Sequence, residues 1–196
     1  MLTFSLAVFF LIITPGPGVL SVAGVGSAFG FAQGARYIGG LCVGSNLVAI
    51  AVVTGLATVL LANDNLRLIL LIASALYLVY LASKIAFAGS KIVFKEAVKA
   101  PGFWAGVILQ TVNPKAYAVN TTLLTGFAFM PGHLATETAL KFLILNLIWL
   151  PIHFAWLYAG MTLHRLNLAP HIQRRVNIAM ALSMLIVVGL ALIAPK

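Results

Sequence analysis

Apolar residues run along this chain in blocks about as long as a bilayer is thick, with polar residues gathered between them. A helix needs about 20 apolar residues to cross the hydrocarbon core. Six blocks approach or exceed that length: Phe4–Gly26, Tyr37–Leu61, Leu66–Phe87, Phe103–Met130, Leu140–Met161 and Val176–Ala194. Backbone groups must find partners internally in lipid, and runs this long and uniform suit helices rather than barrel strands. The pattern predicts an all-α membrane protein with six transmembrane helices, residues 1–196 forming one domain. The first block reads as a span rather than a signal peptide, because no Lys or Arg precedes Arg36.

Composition strengthens this picture. Only 8% of the residues are charged and mean hydropathy is +1.10, whereas a soluble domain carries about 25% charge. The net charge of +9 does not point to nucleic acid, because the basic residues lie mainly between the apolar blocks. The links joining spans 1–2, 3–4 and 5–6 hold Arg36, Lys84, Lys91, Lys95, Lys99, Arg165, Arg174 and Arg175; the other side holds Arg67, Lys141 and Lys196. The positive-inside rule places the first group in the cytoplasm and both termini outside. Cys42 is the lone cysteine and reads as a small packing residue.

Glycines at four-residue spacing, Gly26/Gly30/Gly34 and Gly40/Gly44, let transmembrane helices approach closely. The first set falls partly in a link and reads equally as a re-entrant turn. The second reads as a packing pair, serving internal contacts or a homodimer equally well.

Two blocks are interrupted. In the first span stands TPGPG, Thr14–Gly18, where Pro15 and Pro17 remove backbone donors and clash with the preceding turn. This lies roughly 20 Å from the outer end at 1.5 Å per residue, past the middle of the core. Unwound backbone at that depth is tolerated only against protein or a water-filled cavity. The fourth span is broken at Asn113-Pro114-Lys115, at comparable depth from the opposite face. Three-span halves of one fold must be inverted relative to each other, and matched interruptions in inverted halves point to a transporter's midplane site. Two unrelated proline kinks are the alternative.

Lys115 favours the transporter, since an intramembrane cation is a functional hypothesis by default; the alternative is a lysine reaching cytoplasmic water. Thr111, Lys115, Thr122 and Thr125 fall near one helical face, with Asn113 and Asn120 beside them. A cation near unwound helix ends suits a substrate carboxylate. Asn146, Trp149, His153 and Trp156 share a face of the fifth span. His153 could carry a proton or sit neutral and bonded to a neighbouring helix. The tryptophans read as packing or interfacial anchors.

Several chemistries lack their residues. The acids Asp64, Glu96 and Glu137 all fall in links, so neither a midplane metal site nor a carboxylate proton relay is expected. No phosphate-binding GxxxxGK[ST] segment, no HExxH and no nucleophile–base–acid set occurs. The chain is therefore expected to be no enzyme and to need no cofactor.

TPGP near the start, the glycine-rich approach to the second span, YLVYLASK at Tyr77–Lys84 and NPKA at Asn113–Ala116 resemble the LysE/RhtB family of amino-acid exporters, in order and spacing over nearly the whole chain. The resemblance implies a bacterial inner-membrane protein exporting amino acids or close derivatives, driven by the proton motive force or membrane potential. It carries Thr14, Pro15, Gly16 and Pro17 onto the first motif and Asn113, Pro114 and Lys115 onto the second. Gly18 departs from the asparagine common in the family. Tyr77, Tyr117 and Asn120 join these as candidates for lining the pathway, with His153 the candidate for proton coupling. The lack of midplane acids favours small, neutral or hydroxylated substrates. A passive channel and a non-transporting assembly protein are the competing readings.

Overall fold

The computed structural model describes residues 1–57, 62–86 and 100–165, with scattered helical residues between 171 and 186. Every regular element among the described residues is helical: α1 Leu2–Ile13, α2 Pro17–Val53, α3 Asp64–Ala86, α4 Phe103–Val112, α5 Pro114–Gly126 and α6 Leu134–Arg165. Three of them, Pro17–Val53, Asp64–Ala86 and Leu134–Thr162, are long and apolar enough to cross a membrane. The sixth predicted span, Val176–Ala194, lies mostly outside the described residues.

Both predicted breaks are present. The first span is divided between α1 and the start of α2, and the fourth is divided into α4 and α5. The expected link between spans 1 and 2 is helical instead. Residues 27–36 belong to α2, and the chain bends there at Gly30 alone, with φ 77° and ψ −171°. That left-handed φ suits glycine, which has no β-carbon to clash. The bend is a reversal, because the Tyr37 hydroxyl donates to Ser21 Oγ at 3.0 Å. Residues 16 apart in a straight helix stand about 24 Å apart along its axis. The two limbs of α2 therefore fold back on each other, and the side chain of Leu157 from α6 lies against both Gly26 and Gly34.

The limbs of α2 have different partners. Gly26 in the first limb abuts the Leu157 carbonyl, while Gly160 of α6 abuts Ala23. Gly40 and Gly44 in the second limb face the backbone of α4 at Phe103 and Val107, and Gly106 of α4 faces Tyr37 and Leu41 in return. Backbones approach this closely only where β-carbons are missing. The Gly40/Gly44 pair is thus used within the chain rather than left for a second copy.

One core joins all six helices, including Phe4 and Val8 of α1, Leu41 of α2, Leu81 of α3, Leu109 of α4, Leu123 of α5 and Leu157 of α6. Polar ties cross it. Asn46 and Asn146 exchange reciprocal amide hydrogen bonds, each 2.9 Å, between α2 and α6. Outside the core, Leu68, Ile69, Ile72, Leu76 and Val79 of α3 remain exposed, a surface suited to lipid.

Glu137, assigned to a link by its sequence position, lies in the first turn of α6 and is buried. It pairs with Lys141 at 2.7 Å and accepts from the backbone N–H groups of Met130 and Phe129 at 2.6 and 3.2 Å. Lys141 donates in turn to the Leu124 carbonyl at 3.0 Å. A charge held below the surface needs such partners on every side. Together they tie the α5–α6 connection to both helix ends.

Candidate functional site

The two breaks meet. At the second, Asn113 adopts an extended conformation (φ −76°, ψ 109°) and its Oδ1 accepts from the Lys115 backbone N–H at 3.1 Å. This is an N-cap, with Pro114 at the first helical position where its missing donor costs nothing. The Asn113 amide donates to Gln110 Oε1 at 3.2 Å, so the side chain bridges the end of α4 and the start of α5.

The first break has no equivalent device. Gly16 is the N-cap of α2 and offers no side chain, and Pro17 opens the helix. Gly18 and Val19 follow in the first turn, whose N–H groups have no partner within the helix. Behind the break, the carbonyls at the end of α1 are met from far along the chain. Lys115 Nζ donates to the Thr14 carbonyl at 2.7 Å and to that of Pro15 at 3.4 Å. Its side chain crosses Gly16 so closely that a β-carbon there would stand 2.8 Å from Lys115 Cδ. A cation at a helix C-terminus is favourable in itself.

Beside this junction is a cavity of about 50 Å³, room for a few waters. Thr14, Gly16, Gly18, Asn113, Lys115 and His153 all line it. Asn120 does so too, and its buried Oδ1 has no hydrogen-bond partner while its Nδ2 donates to the Ala116 carbonyl at 2.8 Å. His153 is buried and stacked on Trp149, ring centroids 3.4 Å apart, with Nδ1 2.9 Å from the Trp149 carbonyl.

The other candidates lie elsewhere. Tyr77 donates to the Ala105 carbonyl at 2.9 Å, tying α3 to α4. Tyr117 donates to the Thr111 carbonyl at 3.0 Å and packs with Val48, Ala49 and Leu124. Neither is among the residues lining the cavity, nor are Pro15, Pro17 and Pro114, which shape the breaks without facing it. Besides aliphatic residues, the wall includes three side chains with polar or aromatic groups that are not among the ligands the sequence predicts: Gln110, Ser45 and Trp149. For Gln110 a signal existed, since with Thr111 it interrupts the apolar run WAGVILQTV.

Two broken apolar helices, a lysine strung between the broken ends and a small cavity with polar groups on its wall are features expected at a membrane transporter's site. Residues 9–195 match the family of LysE type translocators, and the chain belongs to that family. A relative from Escherichia coli strain K12, called a cysteine/O-acetylserine efflux protein, is 30% identical over 170 residues, which cover 86% of this chain and 85% of the relative. One of the same name from Salmonella typhi is 30% identical over 171 residues, covering 87% and 86%. No solved structure matches the chain.

Proposed function

We propose that this chain exports small neutral amino acids from the cytoplasm by alternating access around the junction of the two breaks. The observation that carries the reading is the position of Lys115, whose ammonium group ties the end of α1 to the start of α5 at the wall of the cavity. A substrate carboxylate entering there meets Lys115 together with the unpaired N–H groups that open α2, two sources of positive potential. The carboxylate competes with the Thr14 and Pro15 carbonyls for the ammonium. Once Lys115 turns to the substrate, the end of α1 loses its cap and is free to move.

The substrate class follows from the same wall. No Asp or Glu lines the cavity, so the α-ammonium rests on neutral acceptors, foremost the unpartnered Oδ1 of Asn120. A second positive charge on the substrate would find no counter-charge. The names of the relatives, cysteine and O-acetylserine efflux, agree with a small neutral side chain.

In this reading the full chain has six spans in two inverted three-helix halves, each opening with a broken helix. The link bearing Arg36 faces the cytoplasm of a bacterial inner membrane and both termini face outward. His153 couples export to proton movement. The test is efflux from cells fed dipeptides that load the cytoplasm with single amino acids. Selective export of a few small neutral amino acids, stopped by an uncoupler, is expected. Uncoupler-insensitive flux only down a gradient would mean a passive channel, and no flux at all would defeat the proposal.

A further inference from the structure

Nine glycines among the described residues are buried, and eight of them are glycine because a neighbour needs the space. A β-carbon would fall 2.8 Å or less from another atom at Gly16, Gly24, Gly26 and Gly44, and the remaining four are as crowded or more so. Gly18 is the exception. A β-carbon there would lie 3.6 Å from His153 Nε2 and 3.7 Å from Gln110 Oε1, ordinary van der Waals contact. Its φ is not left-handed, so the backbone does not require glycine either. The gap opens into the cavity, which Gly18, Gln110 and His153 all line.

The polarity of the two facing atoms is fixed by backbone groups. The Lys115 N–H can only donate, so Asn113 must present Oδ1 to it. The Asn113 amide nitrogen then points to Gln110, which must answer with Oε1. The Trp149 carbonyl can only accept, so His153 Nδ1 carries the ring hydrogen and, in the neutral ring, Nε2 presents a lone pair. The gap is therefore walled by two acceptors facing the place where a side chain is missing.

We infer that Gly18 is a specificity-determining position: the gap it leaves receives the substrate's side chain, and the acceptors on His153 and Gln110 select a hydroxyl or thiol over an ester or a hydrocarbon. This rests on the export reading and deepens it. A serine, cysteine or homoserine side chain donates to one of the two acceptors. An O-acetyl group has only acceptors of its own and leaves His153 Nε2 unpaired, while Gln110 Oε1 keeps only its bond from Asn113.

The test is efflux from dipeptide-loaded cells expressing the wild-type chain, Gly18→Ala or Gly18→Val, each quantified in the membrane. The wild type is expected to export serine and cysteine about tenfold better than O-acetylserine or methionine, the size expected for an unpaired buried acceptor. Gly18→Ala, whose methyl group fits, should accumulate normally and, by filling part of the gap, narrow that preference. Gly18→Val should lower serine and cysteine export about tenfold more than it lowers alanine export. Equal wild-type export of serine and O-acetylserine would overturn the inference. So would a uniform loss across substrates in Gly18→Val, or failure of Gly18→Ala to accumulate, which would make Gly18 a packing residue like the rest. If the wild type exports nothing, the export reading itself fails and this inference with it.

Discussion

The two breaks look alike in sequence, each a proline beside a small or polar residue, yet they are held in opposite ways. The break at Asn113 is closed from within: its own side chain caps α5 and grips Gln110, and its own N–H reaches the Gln110 carbonyl at 3.3 Å. The break at Thr14–Gly16 is closed from outside, by a lysine 101 residues away in sequence. A self-capped break stays as it is whatever its surroundings do. A break capped by a distant ammonium persists only while that group has no better partner. In the proposed transport cycle, this difference assigns movement to α1 and leaves the α4–α5 corner fixed.

The largest effect should come from removing the outside cap. Lys115→Met keeps the length and apolar stem of the side chain but cannot donate to the Thr14 and Pro15 carbonyls. Hydrogen bonds from charged donors contribute about 1.5–3 kcal/mol, so efflux should fall by about 10- to 100-fold, with thermal stability in detergent also lowered. Unchanged efflux would separate the lysine from transport. Gly16→Ala is the milder version. Its β-carbon would stand 2.8 Å from Cδ and 2.9 Å from Nζ of Lys115, so the flexible side chain must shift off the carbonyls while its charge remains. Efflux about three- to tenfold below wild type is expected, with little loss of protein. If Gly16→Ala equals wild type, the Lys115 contacts can be displaced without consequence.

Both breaks were legible in the sequence because proline and glycine act locally: TPGP and NP each state where a helix must stop. The spans around them were legible for the same reason, as long apolar runs. The Ser27–Arg36 segment was not. Its glycines permit a turn or a helix equally, and what decides is Leu157 seated between Gly26 and Gly34 from another helix. Site membership was harder still. Tyr77 and Tyr117 are polar residues in apolar spans like Asn120, but their hydroxyls are consumed by backbone carbonyls of Ala105 and Thr111. Helical periodicity gives a residue's face and not what that face meets. Thr111 shares a face with Lys115 and Thr122 only along an unbroken helix, and the break at Asn113 separates it from those two, which stay together in α5.

The self-capped break can be probed separately. Asn113→Ala deletes one N-cap and the bridge to Gln110, and loss of an Asn cap costs about 1 kcal/mol. The lower melting temperature should be accompanied by only about a two- to threefold loss of efflux, because Pro114 still enforces the start of α5. An effect on efflux as large as that of Lys115→Met would erase the distinction between fixed and movable corners.

Thr14→Val should do least, and it asks whether the first break has any local cap of its own. The Thr14 hydroxyl donates to the Phe10 carbonyl at 2.6 Å, one turn back along α1. This is the one side-chain bond at the break supplied by the segment itself. Valine preserves the shape and deletes the bond. The site is exposed, and back-bonding of a threonine to the preceding turn contributes little to a helix. A stability change of about 0.5 kcal/mol or less is expected, with efflux within twofold of wild type. The carbonyl that matters in this account is Thr14's own, which valine retains and which Lys115 continues to cap. A loss of efflux approaching that of Gly16→Ala would show that the first break, like the second, is held by its own side chain, and α1 would no longer be distinguished as the element that Lys115 alone holds in place.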